Sequence, residues 1–252
     1  MKFLWISLTI LLVNLSCGHS DLGQEGSLPP NHQVFDAFLK KFVSDEGIVN
    51  YKGMVQQRAD LEIYLNALSQ NPPDRKTWSK AEQLAYWINA YNAFTLKLIL
   101  DHYPIKSIQD IKPKNPIPLV NTVWHMEFFK IGGKPASLDE IEHKILRKEF
   151  EEPRIHFAIN CASFSCPILS KDAYFPEKLE EQLDKAARRF INDSKRNKIS
   201  ADKVNISKIF SWFGEDFTRK GNLIEYLNRY STVRISPKAK INYLDYDWSL
   251  NE

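Results

Sequence analysis

The chain has 252 residues, 43% of them hydrophobic and 12% aromatic. That is enough apolar material to bury a core and too much for a disordered chain. Its 34 basic and 31 acidic residues leave a formal net charge of +3, which gives no ground for a nucleic-acid partner, because such binding needs a concentrated basic face.

In chain order, Met1-Lys2 is a short positive start, and residues 3–15 are nearly all apolar. That run falls short of the roughly 20 residues that span a bilayer and has the form of a secretory signal core. Ser16-Cys17-Gly18 follows. The pattern predicts a signal peptide over 1–16, cleavage before Cys17, and lipid on the Cys17 thiol. Residues 17–31 are polar and rich in Gly, Ser and Pro, so a tether is expected there, with one globular domain over 32–252. The expected location is extracytoplasmic, at a bacterial cell envelope, with the membrane as partner through the N-terminal lipid. With Cys17 consumed, Cys161 and Cys166 remain as an even pair in an oxidising space.

Apolar spacing predicts helices over 34–43 and 54–68, the second stopped by Asn71-Pro72-Pro73. Ser79 and Glu82 form a capping-box start for a helix reaching Asp101. This helix is apolar almost all round, so it is expected at the centre of the protein, and its polar Asn89, Asn92 and Thr95 need internal partners. Residues 105–118 are Pro- and Lys-rich loop. A strand is expected over 123–131, closed by Gly132-Gly133. Ser137 and Glu140 start a helix over 137–149. Residues 155–160 form a short apolar run expected as a buried strand. A helix is predicted over 176–191, strands over 204–206, 234–235 and 241–244, and helices over 210–218 and 223–230. The sum is one α+β domain, helix-rich, with a small and largely antiparallel sheet.

The spread-out segments 47–51 (GIVNY), 86–93 (YWINAYNA), 137–147 (SLDEIEHKILR), 156–167 (HFAINCASFSCP) and 243–248 (YLDYDW) resemble the domain of unknown function 547 family. The resemblance covers nearly all of the mature body and implies no established reaction. A looser likeness is to papain- and transglutaminase-like folds. There a buried central helix starts with the nucleophile, and a His and then an Asp follow. Here His125 and Asp139 follow the 79–101 helix in that order, but Asn89 or another non-cysteine would stand where the nucleophile belongs.

Two readings of residues 154–167 stay open. Cys161 and Cys166 close a local disulfide, or Cys161 is a nucleophilic thiolate that needs a base. His156 is the nearest candidate base, yet strand parity would point it away from Cys161 unless Asn160 turns the chain. Asp139, His143 and Arg147 recur every four residues and share a helix face. Asp139 could orient His143 as a base, and Arg147, with Asn89 and Asn92, could bind substrate. Nothing supplies a four-ligand zinc site, a Gly-x-Ser-x-Gly elbow or a phosphate loop. No cofactor or metal is expected. The expected function is a thiol-dependent acyl hydrolase or transferase. The alternative is a noncatalytic ligand- or protein-binding module in which Cys161 and Cys166 are structural.

Overall fold

A computed structural model describes residues 22–23, 25–113 and 122–252; the expected signal peptide and Cys17 lie outside them. Helix α1 (Gln33–Phe42) buries Phe35, Phe38, Leu39 and Phe42. The helix expected over 54–68 is two: α2 (Tyr51–Gln56) and α3 (Arg58–Gln70), broken at Gln57, whose φ of −124° is not helical. α2 starts on Asn50, whose side chain accepts the Gly53 N–H at 2.8 Å. α4 (Lys80–His102) opens with the Ser79–Glu82 capping box and is buried on nearly every face. α2 and α3 pack against it and α1 packs on them, so α4 is the axle of the larger of two apolar clusters.

A 3-10 turn at Val123–His125 precedes β1 (Phe129–Ile131) and β2 (Lys134–Ala136), an antiparallel hairpin. The strand expected over 123–131 is thus confined to its last residues. The hairpin turn is Gly132-Gly133, with φ of 59° and 78°, a conformation that glycine adopts without steric cost. The expected helix over 137–149 forms as a π-helical segment, Glu140–Leu146, running into the single turn α5 (Arg147–Glu149).

The strand expected over 155–160 is instead a one-turn helix, α6 (Ile155–Ala158). The run is apolar and bears Ile155 and Ile159, which favours a strand, but the backbone groups that a strand would offer to a neighbour are taken elsewhere. Asn92 Nδ2 donates to the Ala158 carbonyl at 3.0 Å, and the Asn160 N–H donates to Asn92 Oδ1 at 2.9 Å. The helical turn also sorts the side chains. Ile155, Ala158 and Ile159 join the larger cluster, and Phe157 joins the smaller one.

The smaller cluster collects α7 (Leu179–Ile191), β3 (Lys198–Ile199), β4 (Lys203–Ile206), α8 (Ile209–Trp212), α9 (Gly214–Thr218), α10 (Leu223–Asn228) and β5 (Lys240–Tyr243). β3 pairs antiparallel and β4 parallel to its neighbour, in the order β3-β4-β5; residues 234–235 form no strand. The whole is one α+β domain, dominated by helices. Part of the expected tether is laid on this body. Leu22 is 3% exposed within the larger cluster, and Trp78 Nε1 donates to the Ser27 carbonyl at 2.8 Å. Among the described residues no helix is long and apolar enough to cross a membrane.

Candidate active site

Between the two clusters lies a cavity of about 210 Å³. Asp139, His143, His156, Cys161 and Cys166 all line it. Far apart in sequence, they are brought together by the π-helical segment, by α6 and by the loop after it.

The thiols sit on that loop. Asn160 turns the chain: its Oδ1 accepts the Ala162 N–H at 2.8 Å, and its Nδ2 donates to the Pro167 carbonyl at 2.7 Å. Ala162 has a φ of 60°, which costs a non-glycine residue about 1 kcal/mol and is typical of functional loops. The turn folds Cys161 back onto Cys166. Both are thiols, with sulfurs 2.9 Å apart, and the Cys161 N–H donates to Cys166 Sγ at 3.0 Å. Ser163 Oγ lies 3.2 Å and the Tyr246 hydroxyl 3.4 Å from Cys161 Sγ. Cys161 is half-buried, Cys166 buried. The hydrogen bond from Cys166, followed by those from Ser163 and Tyr246, outweighs burial and lowers the Cys161 pKa. Burial and the neighbouring sulfur push Cys166 well up. Of the two, Cys161 is the more readily ionised.

Each histidine has its own anchor. His156 is buried, with Nε2 2.8 Å from Asp216 Oδ2 and its ring stacked on Phe213 at 4.0 Å. Burial lowers its pKa although Asp216 pulls the other way. Its Nε2–H faces the carboxylate and donates to it. Its Nδ1 is buried without a hydrogen-bond partner among the described residues. Burial pushes the Asp216 pKa up, but hydrogen bonds from His156 and Arg147 hold it far below the usual carboxylate range.

Arg147 donates through Nε to Asp216 Oδ2 at 2.6 Å, and its NH1 lies 2.9 Å from His143 Nδ1. A guanidinium only donates, so His143 Nδ1 accepts and its proton is on Nε2. That nitrogen lies 3.8 Å from Asp139 Oδ1, and His125 Nε2 lies 3.4 Å from the same oxygen. Burial, then Arg147 and His125, lower the His143 pKa against the pull of Asp139. Arg147 thus commits its Nε and NH1 donors within the protein. Asn89 and Asn92 do not line the cavity. Asn89 exchanges two hydrogen bonds with the Tyr174 backbone, at 2.8 and 2.9 Å, and Asn92 does the same for the Ala158–Asn160 backbone.

Three features escape the motif reading. Glu142 lines the cavity, and burial raises its pKa to about 7, helped by the nearby Cys161 sulfur and opposed by a hydrogen bond from Tyr91. Its position beside His143 was the only sequence signal. Asp216 lies in the first turn of α9 with no motif around it. The aromatic wall, Trp124, Trp212, Phe213, Tyr246 and Trp248, comes from three segments remote in sequence. Among the described residues no group of three or more His, Cys, Asp or Glu is placed to hold a metal ion.

Residues 75–191, just under half of the chain, match the family model described as Protein of unknown function, DUF547. The match includes Glu142, His156 and both thiols; Asp216 and most of the aromatic wall lie beyond it. No curated protein and no solved structure gives a significant match.

Proposed function

Taking the DUF547-matched segment and the aromatic wall beyond it as one site, we propose that the protein is a thiol-dependent acyl hydrolase or transferase with Cys161 as nucleophile. The observation that carries this reading is the Cys161 sulfur at the cavity wall, with the Cys166, Ser163 and Tyr246 donors around it. The thiolate attacks an acyl carbon and forms a C–S bond. The bond to the alcohol or amine leaving group breaks, and that group takes a proton from a neighbouring acid.

Glu142 suits that acid best. Its charge is coupled to the Cys161 sulfur, and its pKa near 7 lets it give a proton and take one back at neutral pH. In the second half, Glu142 takes a proton from water (or from an acceptor alcohol or amine). That nucleophile attacks the thioester carbon, the C–S bond breaks, and Cys161 returns as thiolate. His143, with Nδ1 facing Arg147, serves as an Nε2–H donor. His156 is fixed through Asp216.

The test is turnover of p-nitrophenyl acyl esters with trapping of an acyl-enzyme by mass spectrometry. Cys161→Ala should lower turnover at least a thousandfold and abolish the mass adduct; unchanged turnover would sink the proposal. The close approach of the two sulfurs favours a second reading, a noncatalytic binding module with the pair bridged. Intact mass after alkylation without reductant separates the two: thiols that react only after reduction support the bridge.

The leader carries a proposal about location. The chain is exported and held at a bacterial membrane by lipid on Cys17, as the apolar run before Ser16-Cys17-Gly18 suggests. Cys17→Ala should move the protein from the membrane fraction to the soluble one; unchanged membrane retention refutes lipidation there.

A further inference from the structure

We infer that the cavity takes an alkylated ammonium head group, so that the substrate of the proposed thiol chemistry carries a trimethylammonium-like cation beside the bond under attack; this rests on that reading of Cys161.

The first observation is the ring cluster. Trp124 meets Trp248 at 5.5 Å, Tyr246 meets Trp248 at 4.5 Å, and Trp212 meets Tyr246 at 4.8 Å, centroid to centroid. Half of the six tryptophans of the chain line this one cavity. Trp212 is nonetheless 46% exposed, so the cluster is no closed core: its rings remain partly open to solvent. Ring faces carry negative quadrupole charge and attract cations, indoles most strongly.

The second observation is charge. The described lining contains no Lys or Arg, although the chain has 34 of them. It does contain the carboxyls of Asp139 and Glu142. Asp139 faces two imidazoles, His125 and His143, and no permanently charged group pairs with it among the described residues. Arg147 lies behind the lining, over Phe213 at 5.1 Å, with NH1 2.9 Å from His143 Nδ1 and Nε donating to Asp216.

An anionic ligand would meet the Asp139 carboxyl, which no guanidinium or ammonium pairs among the described residues. A neutral apolar one would strip water from Asp139 and return nothing. A cation satisfies both walls. A primary ammonium would want three strong acceptors, which ring faces do not supply, whereas an alkylated ammonium fits a wall of rings with a carboxylate at its edge. The size agrees: a cavity of about 210 Å³ has room for a small head group.

The test is intrinsic tryptophan fluorescence of the wild-type protein, titrated with choline, with its neutral isostere 3,3-dimethyl-1-butanol, and with the anion 3,3-dimethylbutyrate. Choline should change the emission with a Kd at least tenfold below that of the isostere, and the anion should not bind. Asp139→Asn should weaken choline about tenfold and leave the isostere unchanged; Trp248→Phe should weaken both. An isostere as tight as choline, or tighter binding of the anion, overturns the inference. Choline binding by a wild-type protein that turns over no acyl ester refutes the nucleophile and keeps the cation site. Turnover that choline does not inhibit keeps the nucleophile and refutes the cation site.

Discussion

At the residue scale, two acidic groups govern the site in opposite senses. Asp216 accepts from His156 and Arg147 on one oxygen and from Arg219 at 2.9 Å on the other. Asp216→Asn leaves Arg147 without its anion and should cost about 3 kcal/mol in urea denaturation, the usual scale for breaking a buried pair. A cost under about 1 kcal/mol would mean that solvent replaces the carboxylate. Glu142 works the other way. Its folded pKa of about 7 stands above its ordinary 4.5, so its protonated form favours folding. That help is complete below about 4.5 and is lost as pH rises through about 7, at most about 3 kcal/mol in all. Glu142→Gln stays neutral and should gain stability relative to the wild type from pH 5 to pH 8. Melting curves showing a constant difference across that range would show that the carboxyl is already ionised in the fold.

At the element scale, α4 acts as a bracket as well as a core. Asn92 holds the end of α6 one residue before Cys161, and Asn89 holds the Tyr174 backbone. Replacing Asn92 with Leu keeps the volume but orphans the Ala158 carbonyl and the Asn160 N–H, at about 1–3 kcal/mol each. The expected result is a loss of about 2–4 kcal/mol in denaturation together with slower iodoacetamide alkylation of Cys161, because the loop that aims the sulfur loosens. Unchanged alkylation with lowered stability would confine Asn92 to the core. The same element shows why the strand expected over 155–160 is absent. An apolar run states that it is buried, but its partner decides its shape, and here the partner is the Asn92 amide of α4.

At the scale of the whole molecule, the C-terminal tail completes the site. Phe164 N–H donates to the Ser249 carbonyl at 2.7 Å, Leu250 N–H to the Lys106 carbonyl at 3.0 Å, and Val49 N–H to the Asn251 carbonyl at 2.8 Å. These bonds strap the tail over the thiol loop and set Tyr246 and Trp248 in the cavity. Removing residues 244–252 should therefore raise the pH at which Cys161 alkylates, since the Tyr246 donor is gone, and lower the melting temperature by several degrees. An unshifted alkylation profile would show that Cys166 and Ser163 alone hold the thiolate.

Much of this was legible in the residues. The Ser79–Glu82 start of the central helix, its burial, the helix-rich α+β class and the importance of the 154–167 segment follow from local patterns, because caps and apolar periods are read within a few residues. Asp139, His143, His156, Cys161 and Cys166 could be named as chemistry-bearing groups in the same way. What only the tertiary structure decided is their pairing. Asp216 lies 60 positions from His156 and Tyr246 lies 85 from Cys161. The turn at Asn160, the raised carboxyl of Glu142 and the closing aromatic wall depend on such distant neighbours. Sequence fixes which groups are present and which faces must be buried; charge, tautomer and reactivity depend on what lies within a few ångströms, and folding alone sets that.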